Sequence, residues 1–157
     1  MKIQYNLPCN IAQTLNIIGD KWSLLILHRI LTGRETYKDI QEGLEGIPTN
    51  LLSERLKTME ADELIVRELY QDHPPRYRYT LTHKGYDLVD VFNSLMIWGE
   101  KHLNKCYKSL VHKDCKKKDK RDKNNNGRIE HKYYCSECNE FVDINDLEVI
   151  DPNDREE

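Results

Sequence analysis

Nowhere in the 157 residues is there a run of the roughly 20 apolar side chains that a membrane-spanning helix needs, so no membrane partner is expected. The N-terminal MKIQYNLPCN lacks the apolar stretch of a secretory signal, which points to a cytoplasmic protein. Glycine is sparse at seven residues, and none of them forms the Gly-rich loop that cradles phosphates. His28, His83 and His102 fall in helical stretches with no nucleophile and carboxylate grouped around them by any motif, which argues against an enzyme. The five cysteines are an odd number and four lie in the last third of the chain, a poor match to a disulfide framework. Free thiols or metal ligands suit them better. Positive charge is not in excess either: 24 Lys and Arg against 27 Asp and Glu leave a net charge of -3, which excludes a uniformly basic DNA-coating protein.

The signs are unevenly spread. Residues 1–111 carry 14 basic and 14 acidic side chains, residues 112–132 carry 9 and 4, and residues 133–157 carry 1 and 9. A neutral body, a basic connector and an acidic tail result. In the body, Ile11, Leu15 and Ile18 recur at helical spacing, then Trp22, Leu25, Ile26, Leu27 and Ile30, with Gly19-Asp20 between to end one helix and cap the next. Asn10 is the expected cap of the first. A third helix is predicted from about Thr36 to Leu44, with Tyr37, Ile40 and Leu44 inward, until Gly43 to Pro48 breaks it. Pro48 or Thr49 opens a fourth. On it Leu52, Leu56 and Met59 share one face, while Asn50, Ser53, Glu54 and Lys57 lie broadly opposite.

Residues 64–70 and 76–81 read as two strands joined across Gln71-Asp72-His73-Pro74-Pro75, which cannot continue a strand. Thr82 caps a predicted long helix reaching about Lys105, with more apolar positions than one small domain buries, Trp98 among them. Residues 116–127 have no apolar side chain and read as a solvated, mobile loop. The expected division is a body over 1–105, a small lobe over 106–150 and an acidic tail over 151–157.

This order of elements is that of a mainly α (α+β) winged helix-turn-helix with a long C-terminal dimerisation helix. The stretches Cys9-Asn-Ile, Gly19-Asp-Lys-Trp-Ser-Leu-Leu-Ile-Leu27, Ile47-Pro-Thr-Asn-Leu-Leu-Ser-Glu-Arg-Leu-Lys57 and Arg78-Tyr-Thr-Leu-Thr-His-Lys-Gly85 resemble the HxlR-type transcriptional regulators, relatives of the MarR group. The resemblance covers roughly residues 9–104. It implies a homodimer whose fourth helix enters the DNA major groove while the wing touches flanking backbone or minor groove. Thr49, Asn50 and Ser53 then stand where such helices reach base edges, and Lys57 adds a phosphate contact. Arg55 lies nearer the core edge, with a phosphate or scaffold role. Arg76 and Arg78 share a strand face of the wing with His73 at its tip, and Thr36 and Lys38 are weaker phosphate candidates. The plain alternative for all of these is a solvated polar surface.

Some HxlR-type regulators use an N-terminal cysteine to sense oxidants or quinones, and Cys9 occupies that place. A thiol at a helix N-terminus suits the role, and a half-buried core thiol is the alternative. His112-x2-Cys115 and Cys135-x2-Cys138, separated by 19 residues, are two chelating pairs of the kind a structural zinc requires, with disulfides or free thiols as the competing reading. The expected function is a DNA-binding transcriptional regulator acting as a homodimer on an inverted repeat. The rival is a zinc-dependent protein-interaction module on a winged-helix body.

Overall fold

The computed structural model describes residues 4–105, 107–112 and 129–150. The chain divides into two compact units, Met1–Phe92 and Asn93–Glu157. In the first, helix α1 (Asn10–Ile18) turns at Gly19 into α2 (Ser23–Leu31), followed by α3 (Tyr37–Glu42) and α4 (Thr49–Ala61). Strands β1 (Ile65–Gln71) and β2 (Arg76–Leu81) form an antiparallel wing, in register from Ile65 against Leu81 to Leu69 against Tyr77, with an irregularity before Gln71. A backbone bridge from Thr36 to Arg78, with the Tyr79 N–H donating to the Glu35 carbonyl at 2.8 Å, ties the approach to α3 onto β2.

The apolar periodicity becomes a core of Ile26, Leu27 and Ile30 from α2, Ile40 from α3, Leu52, Leu56 and Met59 from α4, and Leu64 and Ile65 entering β1. Ile26, Leu27, Ile40 and Leu52 are fully buried, each contributing about 1.5–3 kcal/mol over an exposed position. The start of α2 is held by Asp20, whose Oδ1 accepts from the backbone N–H of Trp22 and Ser23 at 2.9 and 3.2 Å, while the Ser23 hydroxyl donates to Oδ2. Asp20 thus serves orphan amides of the first turn, as its place in the sequence suggests.

Two expectations are corrected. Cys9, not Asn10, is the cap residue of α1, and Asn10 is already helical. On the same helix Ala12 and Ile18 are buried, whereas Ile11 is 72% and Leu15 41% exposed. The predicted helix from Thr82 to Lys105 is broken into α5 (His83–Tyr86) and α6 (Val89–His102). Gly85 is pressed against Leu64 at the entry to β1, and the ladder tightens there, the Leu88 N–H reaching the Gly85 carbonyl at 3.4 Å rather than the carbonyl one residue further back. Gly is also the poorest helix former after Pro.

In the second unit, strands β3 (Tyr133–Cys135) and β4 (Glu140–Val142) pair antiparallel, Cys135 opposite Glu140, and a single 3-10 turn spans Ile144–Asp146. The Ser94 hydroxyl on α6 lies 2.7 Å from His131 Nε2, just before β3. No described helix is long and apolar enough to cross a membrane.

Candidate functional site

Pro48 holds φ at -65° with an extended ψ, so the chain enters α4 directly at Thr49 and presents the first turn of the helix outward. Thr49 and Asn50 are exposed there, and Lys57 two turns on is exposed as well. Leu52, Leu56 and Met59 anchor the opposite face in the core. The polar face is therefore not a loose surface but the outer side of a helix whose other side is immobilised.

Two further contacts fix its position, and the sequence reading missed their pairing. The Tyr37 hydroxyl on α3 donates to the Thr49 carbonyl at 2.9 Å, and the Ser53 hydroxyl donates to the Tyr37 hydroxyl at 3.4 Å. Ser53 is half-buried and turned toward α3, so of the three proposed base-reading residues it is the least presented. Arg55 Nε sits 3.5 Å from Asp20 Oδ1, with the side chain 24% exposed, an ion-pair contact rather than an aligned hydrogen bond. That contact links Arg55 on α4 to Asp20 at the start of α2. The pair is partly shielded from water and ties α4 to the turn before α2.

On the wing, Arg78 Nε is 3.3 Å from Glu35 Oε2 and Arg67 is engaged by Glu60 at 3.0 Å and by the Tyr77 ring at 5.0 Å. Arg76 is exposed, and among the described residues no carboxylate pairs with it. His73 at the tip is 92% exposed and 3.4 Å from Asp72, which offsets its charge when protonated. Thr36 spends its hydroxyl on α3, accepting from the Asp39 N–H at 3.2 Å and donating to the Asp39 carboxylate at 2.6 Å. Lys38 lies 3.7 Å from Glu42 at the surface, a pair worth little in water. The fold brings Thr36, Lys38 and Arg76 to one open groove of about 540 Å³, also lined by Tyr37, Tyr70 and Tyr77. Sequence separation hid that groove, since its walls come from α3 and from the far end of the wing.

Cys9 is exposed in the single chain. It caps α1 through its backbone alone, without a side-chain hydrogen bond. Cys135 is half-buried and Cys138 exposed, both free thiols on the β3–β4 turn. The backbone N–H of Cys138, its thiol and the N–H of Glu137 hold the Cys135 thiol below its ordinary pKa. His112 is exposed. Cys115 and Cys106, the loop 116–127 and the tail 151–157 lie outside the described residues. Among the described residues no group of three or more metal-ligating side chains is assembled, so His112 is not brought to Cys135 and Cys138 there.

The chain is similar to known helix-turn-helix regulators. The HxlR-like helix-turn-helix family matches residues 17–107. YtcD of Bacillus subtilis, an uncharacterized HTH-type transcriptional regulator, is 31% identical over 106 residues, 68% of this chain and 82% of YtcD. The redox regulator HypR in its oxidized form is similar with a TM-score of 0.57 at 28% identity, over 62% of this chain and all 100% of that one. A transcription factor of Pseudomonas aeruginosa, PA1374, is similar over 92% of this chain and 93% of its own, with a TM-score of 0.63 at 26% identity.

Proposed function

Because this chain belongs to the HxlR-like helix-turn-helix family and is a transcriptional regulator of that type, we propose that it binds DNA as a homodimer, each α4 in a major groove and each wing on the flanking backbone. The observation that carries the reading is the outer face of α4: Thr49, Asn50 and Lys57 exposed on a helix clamped from behind by Leu52, Leu56, Tyr37 and Asp20. Base contacts specify and phosphate contacts position, so Asn50 and Thr49 read sequence while Lys57 and Arg76 hold register. With a neutral body, affinity rests on where these few charges sit and on doubling them by symmetry.

The apolar surface supports the second copy. On α6, Val91, Leu95 and Trp98 follow one another at helical spacing and are 38%, 53% and 59% exposed, and on α1 Ile11 and Leu15 are exposed too. Monomeric soluble proteins seldom leave such faces in water. A two-fold dimer recognises an inverted repeat with half-sites about 10 base pairs apart, one helical turn. Selection from random DNA pools by the purified protein tests this directly: an inverted repeat at that spacing, bound with a steep salt dependence, is expected. Enrichment of no motif, or salt-independent binding, refutes it.

Cys9 adds a thiol input to the same reading. It is exposed at the start of α1, and the likeness to the redox regulator HypR supports a response to oxidants or electrophiles. Diamide or a quinone is expected to change operator affinity in the wild type and not in Cys9→Ser; equal responses in both refute the assignment.

A further inference from the structure

The groove between α3 and the outer end of the wing holds more than a phosphate contact needs. Tyr77 and Tyr79 lie on one side of β2, two residues apart, and line it together with Tyr37 from α3. All three rings are half-buried. Tyr70 joins them from β1, at the irregularity between Leu69 and Gln71, and is 46% exposed. The Tyr77 ring has Arg67 over it at 5.0 Å, and Arg67 is held in turn by Glu60 at 3.0 Å. Burial pushes the pKa of Tyr79 up, so its hydroxyl stays a neutral donor. Tyr37 and Tyr79 also back onto the core, but Tyr70 and Tyr77 stand outside it. Their rings are spent on the groove alone.

The charge of the groove has one sign. Lys38 and Arg76 are in its lining and no acidic side chain is. Glu42, 3.7 Å from Lys38, is a surface partner that another anion can displace at little cost. Arg76 has no carboxylate partner among the described residues. At about 540 Å³ the groove falls within the roughly 300–1,000 Å³ of small-molecule sites. Tyrosine faces stack flat rings, and a guanidinium takes a carboxylate through two parallel N–H donors. A DNA backbone would use the two cations and leave the rings idle.

We propose that this groove binds a small planar aromatic carboxylate, its ring among the tyrosines and its carboxylate on Lys38 and Arg76, and that the occupant competes with DNA. The competition rests on the DNA-binding reading above, in which Arg76 is a phosphate contact: a carboxylate that holds Arg76 withdraws it from the operator. Tyr37 adds a second link, since this groove residue donates from its hydroxyl to the carbonyl of Thr49, the first residue of α4.

The probe is 2-naphthoate, titrated by calorimetry into the full-length protein without DNA. It is expected to bind once per chain with a Kd below about 1 mM. Cyclohexanecarboxylate, with the charge but no flat ring, and 2-naphthalenemethanol, with the ring but no charge, are each expected to bind about tenfold more weakly or less. Replacing both exposed cations, Lys38→Gln with Arg76→Gln, weakens naphthoate binding about tenfold while the thermal transition stays in place. Saturating naphthoate then weakens the operator complex of the wild type about tenfold and leaves the residual affinity of the double variant unchanged. Absence of saturable naphthoate binding, or binding matched by cyclohexanecarboxylate or by the double variant, overturns the site whatever the DNA does. Naphthoate bound as expected with wild-type operator affinity unchanged overturns the competition. Naphthoate bound as expected by a protein that selects no operator upholds the site and refutes the DNA-binding reading instead.

Discussion

Gly85 gives the sharpest test of how the wing is joined to the body. A methyl built at its Cα would lie 2.1 Å from the Leu64 carbonyl oxygen, 3.0 Å from its carbon and 3.4 Å from Leu81 Cδ2. Ordinary carbon–oxygen separations begin near about 3.3 Å, so one side has to give by about 1 Å. Leu64 cannot move freely: its carbonyl accepts from the Thr82 N–H at 3.1 Å and the Thr82 hydroxyl at 3.2 Å, and its own N–H donates to Met59 at 2.9 Å. Overpacking of this kind costs about 1–3 kcal/mol, and each strained hydrogen bond adds about 1 kcal/mol. Against that, Ala gains about 1 kcal/mol over Gly in a helix. The steric terms win, and Gly85→Ala is expected to lose about 2 kcal/mol. For a unit of this size that lowers Tm by about 8–16 °C. Gly33→Ala is the control, because Gly33 has φ +83° and open space around its Cα, so only the backbone conformation, about 1 kcal/mol, is at stake. Thermal unfolding at one fixed protein concentration, needed because dimerisation would couple to stability, reads both. A Gly85→Ala protein within about 0.5 kcal/mol of wild type would refute the argument from close approach.

Asn50→Ala is expected to relax base preference at one position per half-site at a cost of about 1–3 kcal/mol, measured by competition among operator variants. Lys57→Ala or Arg76→Ala weakens binding to all sequences alike, and each lowers the salt slope by about 1.8 for a dimer, read from affinity against salt concentration. Tyr37→Phe removes the donor to the Thr49 carbonyl and is expected to cost about 1 kcal/mol in urea unfolding; an unchanged midpoint would show that the clamp on α4 is idle. Trp98→Glu puts a charge on the exposed apolar face of α6 and is expected to give monomers in sedimentation at micromolar concentration, with a correspondingly weaker operator complex.

Much of this protein is legible along the chain because the rules involved are local. Pro48 before Thr49, Asp20 before α2 and Thr82 before α5 announce helix starts within four residues of themselves, and the spacing of Leu52, Leu56 and Met59 assigns the buried side of α4 without any knowledge of what buries it. The alternation in Arg76 to Leu81 likewise marks β2 and its partner. What a periodicity cannot specify is which distant group meets a given side chain, since that depends on how the elements pack. Ser53 and Asn50 look equivalent in the sequence, yet one is turned to Tyr37 and the other to solvent. Arg55 and Lys57 are two cations on one helix, and only the tertiary placement of Asp20 gives the first an acidic partner. The break between α5 and α6 is likewise absent from the apolar pattern, which runs on past Thr82, and so is the packing of Gly85 so close to the Leu64 carbonyl that an added Cβ would lie 2.1 Å from its oxygen.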